Sequence, residues 1–147
     1  MRLGSVQLKT DGNNVRHWIE STHQVVQGPK VVGVVKISET KARRADVLAE
    51  FASSKQTTKN LKALRLPAEF RYIWIEVLKI QELSRGQGYG TQIFDLIKAT
   101  HHNALLALNP HEIAADYPIK TILSFYRKQG FVLSRFDYEW YGFQYLP

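Results

Sequence analysis

Residues 71–80, RYIWIEVLKI, constrain the fold more than any other stretch. In an extended chain successive side chains alternate between faces. Alternation sends Tyr72, Trp74, Glu76, Leu78 and Ile80 one way, and Ile73, Ile75 and Val77 the other. Both faces are apolar. Such a strand belongs inside a sheet that is covered on both sides, which predicts an α/β layered protein.

The surrounding pattern fills in the layers. Residues 15–27 and 31–38 read as strands, joined through Gly28-Pro29-Lys30 as a hairpin. Val47, Leu48 and Phe51 share one helical side within 41–53, and Leu61 and Leu64 do so within 57–65. Beyond residue 80, Ile93, Phe94, Leu96 and Ile97 form a helix stripe, and ALLAL at 104–108 is a short buried strand. Pro118 suits a helix start. Ile119, Ile122, Leu123 and Tyr126 follow at i, i+3, i+4 and i+7, and Gly130 is placed to end that helix. Two last strands, 131–136 and 138–146, flank Asp137. From residue 71 the order is therefore β-α-β-α-β-β.

Between the central strand and the next helix lies SRGQGYGTQIF, residues 84–94. Glycine admits positive φ and close backbone approach. The first N–H groups of a helix lack intrahelical partners and sit at the positive end of its dipole. A strand, a glycine turn and a helix N-terminus together predict a phosphate site. A mononucleotide P-loop needs Lys-Ser/Thr after its last glycine, whereas Thr91-Gln92 follows Gly90 here. A dinucleotide fingerprint needs G-x-G-x-x-G, whereas the spacing here is G-x-G-x-G.

Read as Arg-x-x-Gly-x-Gly, residues Arg85-Gly86-Gln87-Gly88-Tyr89-Gly90 resemble the acetyl-coenzyme A pyrophosphate loop of the GNAT (GCN5-related N-acetyltransferase) superfamily. Phe125-Tyr126-Arg127-Lys128-Gln129-Gly130-Phe131 resembles that family's Phe-Tyr-x-x-x-Gly-Phe segment, with helix, strand and helix between the two, as in the family. The resemblance covers about residues 70–146 and implies a single acyl-CoA-binding domain over 1–147. It also implies a mixed, mostly antiparallel twisted sheet with helices on both faces, split beside strand 71–80. Two departures stand out. The position seven residues before the motif tyrosine, commonly Asn in the family, is Ile119. The hairpin at 15–38 precedes a polar, helix-prone 41–65, where the family runs strand, helix, helix.

The resemblance implies direct acetyl transfer from acetyl-CoA to a primary amine in a ternary complex. Arg85, Gly86, Gln87, Gly88, Tyr89, Gly90 and Thr91 would hold the pyrophosphate. The Leu78 or Ile80 amide would polarise the acetyl carbonyl. Tyr126 falls on the family's tyrosine position and would be the acid for the departing thiolate. The family has no fixed base. Glu76 is the candidate from the residues themselves: a mid-strand carboxylate among Tyr72, Trp74 and Leu78, where desolvation favours base work.

Composition narrows the alternatives. Cysteine is absent, which excludes disulfides, thiolate zinc sites and a thiol nucleophile. No H-x-x-x-H or H-E-x-x-H pattern occurs, so no metal is expected. Residues 1–14 are too polar for a secretory signal and no apolar run reaches a membrane span, so the cytoplasm is the expected setting, without a membrane partner. Twenty Lys and Arg against 13 Asp and Glu give a formal charge of +7. Lys41, Arg43 and Arg44, then Lys55, Lys59, Lys62 and Arg65, concentrate part of it. Two alternatives to the enzyme follow: an acetyl-CoA-binding regulatory module without catalysis, and a basic RNA or ribonucleoprotein partner, including toxin-like acetylation of aminoacyl-tRNA. The aromatic strand 138–146 suits a homodimer face as well as a core.

Overall fold

A computed structural model describes the backbone of residues 2–10 and residues 17–80, 88–110 and 118–147 in full. The elements in order are β1 (Arg2–Thr10), β2 (His17–Gln27), β3 (Lys30–Arg43), α1 (Arg44–Glu50), α2 (Lys55–Ala63) and β4 (Glu69–Ile80). They are followed by α3 (Tyr89–Thr100), β5 (Ala104–Leu108), α4 (Ile119–Lys128), β6 (Val132–Phe136) and β7 (Glu139–Leu146). Seven strands form one mixed sheet in the order β1-β2-β3-β4-β5-β7-β6. Among the described residues only β4 and β5 pair in parallel; the other neighbours are antiparallel.

Helices cover both faces. Ile93, Phe94 and Ile97 of α3 and Ile122 and Tyr126 of α4 share one core with Val35, Ile37, Ile73, Ile75, Leu106 and Leu108. Val47, Phe51 and Leu61 from the α1–α2 region share the other with Trp18, Tyr72, Leu105 and Phe143. The central strand expected from residues 71–80 thus holds its place, with Tyr72, Ile73 and Ile75 all at most 1% exposed. The β-α-β-α-β-β order from residue 71 is also present. Among the described residues, no helix is long and apolar enough to cross a membrane.

The N-terminal half needs correction. β1 was not read from the sequence; it adds an edge strand along β2. β3 runs to Arg43, beyond the expected end at 38, so Lys41 and Arg43 are strand residues and α1 starts at Arg44. The polar run Ser38-Glu39-Thr40-Lys41 hides the strand. Its backbone is nevertheless committed to β4 as far as Arg43↔Glu69.

The alternation expected along β4 also fails, at one point. Lys36 pairs with Val77 while Ile37 pairs with Ile75, leaving Glu76 as an extra residue. Such a bulge reverses the facing of all that follows it. Leu78 and Ile80 therefore pack against the α3–α4 core with Ile73 and Ile75, and not on the side of Tyr72 and Trp74.

Turn chemistry closes the elements. Gly130 has φ 99, and the bonds Phe131 N–H to Tyr126 O and Gly130 N–H to Arg127 O close α4 in a Schellman motif. Asp137 and Tyr138 both have positive φ, as a two-residue hairpin turn requires. The Ser54 hydroxyl caps α2 by accepting from Thr57 N–H, while the buried Thr57 Oγ1 lies 2.8 Å from Ser134 Oγ on β6. Thr57→Val strands the Ser134 hydroxyl in the core. We expect a loss of about 1–3 kcal/mol in urea unfolding, and much less for Thr57→Ser.

Candidate functional site

The site is built where β4 and β5 part. Their parallel ladder runs from Arg71↔Ala104 to Ile75↔Leu108. β4 continues beside β3 to Ile80↔Gly33, five residues past the last β5 pair. Along such a strand alternate amides point away from the remaining neighbour, so 76–80 present backbone groups toward the side that β5 leaves.

Past Ile80 the chain returns as α3. Gly88 is its N-cap, with φ 77 and ψ 13, and no side chain caps the helix. The first intrahelical bond is Gln92 N–H to Gly88 O at 3.1 Å. The preceding amides of Tyr89, Gly90 and Thr91 have no intrahelical acceptor. No carboxylate occupies the first turn, so nothing there repels an anion. Arg85, Gly86 and Gln87 lie outside the described residues.

Two contacts fix this helix end. A Cβ on Gly90 would lie 2.9 Å from Phe125 Cζ of α4, so Gly90 is what lets the two helices approach. Gln129, 6% exposed, donates from Nε2 to Thr91 Oγ1 at 3.3 Å, and its backbone carbonyl accepts from Lys98 Nζ at 2.6 Å. Thr91 is thus an acceptor within the protein. Among the described residues its own hydroxyl proton has no acceptor. Gln129 was not singled out in the sequence, because only packing brings residues 91 and 129 together.

The two candidate proton carriers lie on different sides of the sheet. Tyr126 is 2% exposed, boxed by Phe94 at 5.6 Å and Phe131 at 5.9 Å between ring centroids. Among the described residues nothing hydrogen-bonds its hydroxyl. Burial raises its pKa well above the ordinary tyrosine value, so it remains protonated across the neutral range. Glu76 sits on the bulge, at the end of the β4–β5 ladder. Its Oε2 is 3.8 Å from Lys36 Nζ, and its side chain is 29% exposed. The expected desolvated carboxylate is therefore a half-buried one beside an ammonium. The supposed shared face with Leu78 and Ile80 is corrected by the bulge. Those two residues reach the site only through their backbone.

The basic stretch lies elsewhere. Lys41 and Arg43 line an open cavity of about 980 Å³ with Glu39, Asp46, Glu69 and Arg71, at the opposite end of β4. Arg71 is ion-paired to Glu39, so the lining is of mixed sign and not a uniformly basic groove.

Gly90→Ala forces its methyl into Phe125 and should cost about 1–3 kcal/mol. Pairing it with Phe125→Leu should restore part of that stability in urea melts, because the clash and not helix propensity is the cause. Above pH 10 the unfolded Tyr126 ionises while the folded one does not. Folding stability should therefore fall as pH rises past about 10, and Tyr126→Phe should remove that contribution. The pH dependence of urea midpoints measures it.

No protein-family model, no curated protein and no solved structure matches the chain.

Proposed function

We propose that this protein is an acyl-CoA-dependent N-acetyltransferase of the GNAT kind. One observation carries the reading: β4 outruns β5 by five residues, and the next helix is glycine-capped, with first amides that have no intrahelical acceptor. The donor set suits the diphosphate of coenzyme A, since three amides without an intrahelical acceptor, the Thr91 hydroxyl and a first turn without acid all favour an anion. The bound donor supplies an activated acyl thioester.

The chain's own groups supply the rest. Amides of Tyr89, Gly90 and Thr91 hold the diphosphate, and the amide of Leu78 or Ile80 polarises the carbonyl from the strand edge that β5 leaves. Glu76 takes the proton of the attacking amine, directly or through one water. The C–N bond forms, the C–S bond breaks, and Tyr126 gives its proton to the leaving thiolate. A tyrosine kept protonated by burial suits that task. No protein nucleophile takes part.

Thermal-shift titration with acetyl-CoA, with ATP as control, tests the cofactor. At about 100 times Kd a ligand adds about 2.7 kcal/mol, or roughly 5 °C for a chain of this size. Gly88→Asn and Gly88→Asp are the informative variants. Both residues tolerate positive φ, and a Cβ at Gly88 meets nothing within 4 Å. Asn should keep most of the shift and Asp should lose it, because only Asp sets a negative charge against the phosphate. No shift in the wild type at millimolar acetyl-CoA overturns the reading. Once an acceptor is found, Glu76→Gln and Tyr126→Phe should each lower kcat by about 10²-fold or more. Retained binding without turnover in the wild type would identify a regulatory acetyl-CoA module.

A further inference from the structure

Helix α2 packs on the sheet face opposite α3 and α4, away from the donor site. Its inner side is pinned. Thr57 and Leu61 are buried, the Thr57 hydroxyl meets Ser134 on β6, and the Ser54 hydroxyl of the cap donates to the Arg135 carbonyl at 3.0 Å. Its outer side is basic. Lys55, Lys59 and Lys62 are all exposed. At 3.6 residues per turn they fall within about 60° of one another, over about 10 Å of helix axis. Arg65 follows three residues on and is also exposed. The helix carries no acid, and among the described residues none of these four cations makes an ion pair.

This pattern works against the helix. Lys55 is its first residue, at the positive end of the dipole. Lys55 and Lys59 stand at i, i+4, and Lys59 and Lys62 at i, i+3, where like charges repel. Arg65 has φ 54 just past the helix end, a conformation that favours glycine. Three local preferences are thus broken, each by a cation. On the sheet, by contrast, Lys36 stands beside Glu20 and Glu76, and Arg71 beside Glu39. Local rules broken without compensation inside the fold mark functional surfaces. An outside row of negative charges supplies the compensation that α2 lacks.

We infer that α2 docks the backbone of double-stranded RNA. The lysine stripe calls for a polyanion. The exposed residues of α2 include no aromatic and no large apolar side chain. The helix therefore offers neither a stacking platform for unpaired bases nor an apolar face for a bilayer. Beside the lysines, Gln56 Nε2 donates to Asn60 Oδ1 at 2.8 Å. That bond leaves Gln56 Oε1 to accept and Asn60 Nδ2 to donate. The 2′-hydroxyl does both, and it is the group that distinguishes RNA from DNA. Phosphates thus lie on Lys55, Lys59, Lys62 and Arg65, and 2′-hydroxyls on the Gln56–Asn60 pair.

Fluorescence anisotropy on the full chain tests this, with an RNA duplex of about 20 base pairs, the DNA duplex of the same sequence and the single RNA strand. The RNA duplex should bind at least about threefold tighter than either other probe. Three lysine contacts predict an affinity loss of about 40-fold between about 50 and 200 mM salt. Lys55→Gln, Lys59→Gln and Lys62→Gln together should remove most of that salt dependence and weaken binding at least about tenfold at low salt. The same triple variant should keep or raise Tm, because the repelling pairs are gone. Gln56→Ala with Asn60→Ala should erase the preference for RNA over DNA. Lys41→Gln with Arg43→Gln, which removes charge from the mixed-sign cavity, should leave affinity within about twofold. Equal binding of the RNA and DNA duplexes, an equal loss from the Lys41 and Arg43 pair, or no binding of the RNA duplex at low salt each overturns the inference. None of these readouts depends on acetyl-CoA.

Discussion

The β4–β5 ladder, five paired residues on each strand, is the constraint on which the rest depends. Among the described residues it is the one parallel pairing in an otherwise antiparallel sheet, and a parallel pair cannot be joined by a tight turn. The chain must cross over, and α3 is that crossover. Its position fixes where Gly88 and the first amides of the helix lie relative to the end of β4. β5 is buried along its whole length, with Leu106 and Leu108 in one core and Leu105 and Ala107 in the other. The same five residues therefore join both layers.

The end of that ladder matters as much as its existence. Beyond Ile75 and Leu108 the strands separate, and the bulge at Glu76 falls at the point of separation. A bulge sends two consecutive residues to one face, so Glu76 and Val77 stay on the Trp74 side while Leu78 turns toward α3 and α4. This local irregularity lets a single strand present a carboxylate to one side and an apolar floor to the other. Glu76 thereby lies toward the aromatic face, and Tyr126 lies in the α3–α4 core.

Electrostatics separates the regions further. The positive excess is spread over the chain, and around Lys41, Arg43 and Arg71 it is interleaved with carboxylates. On the Trp74 side, Lys36 is likewise interleaved with Glu20 and Glu76. Net charge alone therefore says little about what this protein attracts. The positions of individual charges against ring faces and helix ends decide it.

Much was legible from residue order. The doubly apolar 71–80 requires a covered central strand, the i, i+3, i+4, i+7 stripe requires α4, and Gly130 can end it because glycine accepts φ 99 without strain. Gly88 and the glycine-rich approach to α3 were readable for the same reason. These are local matters, settled by period and backbone sterics. The polar end of β3 was not readable, because its pairing with β4 comes from backbone bonds that leave no mark on side-chain hydropathy. The bulge at Glu76 was not readable either. It arises from register between two strands whose paired residues are some 40 positions apart in sequence. Likewise, the Gln129 bond to Thr91 and the Phe125 ring over Gly90 are products of packing. The sequence by itself determined the elements from residue 71 onward and where the glycine-led helix begins, while β1 and the polar end of β3 needed the pairing of strands. Only the tertiary structure decided which side chains share a face, because one inserted residue in one ladder reverses every facing beyond it.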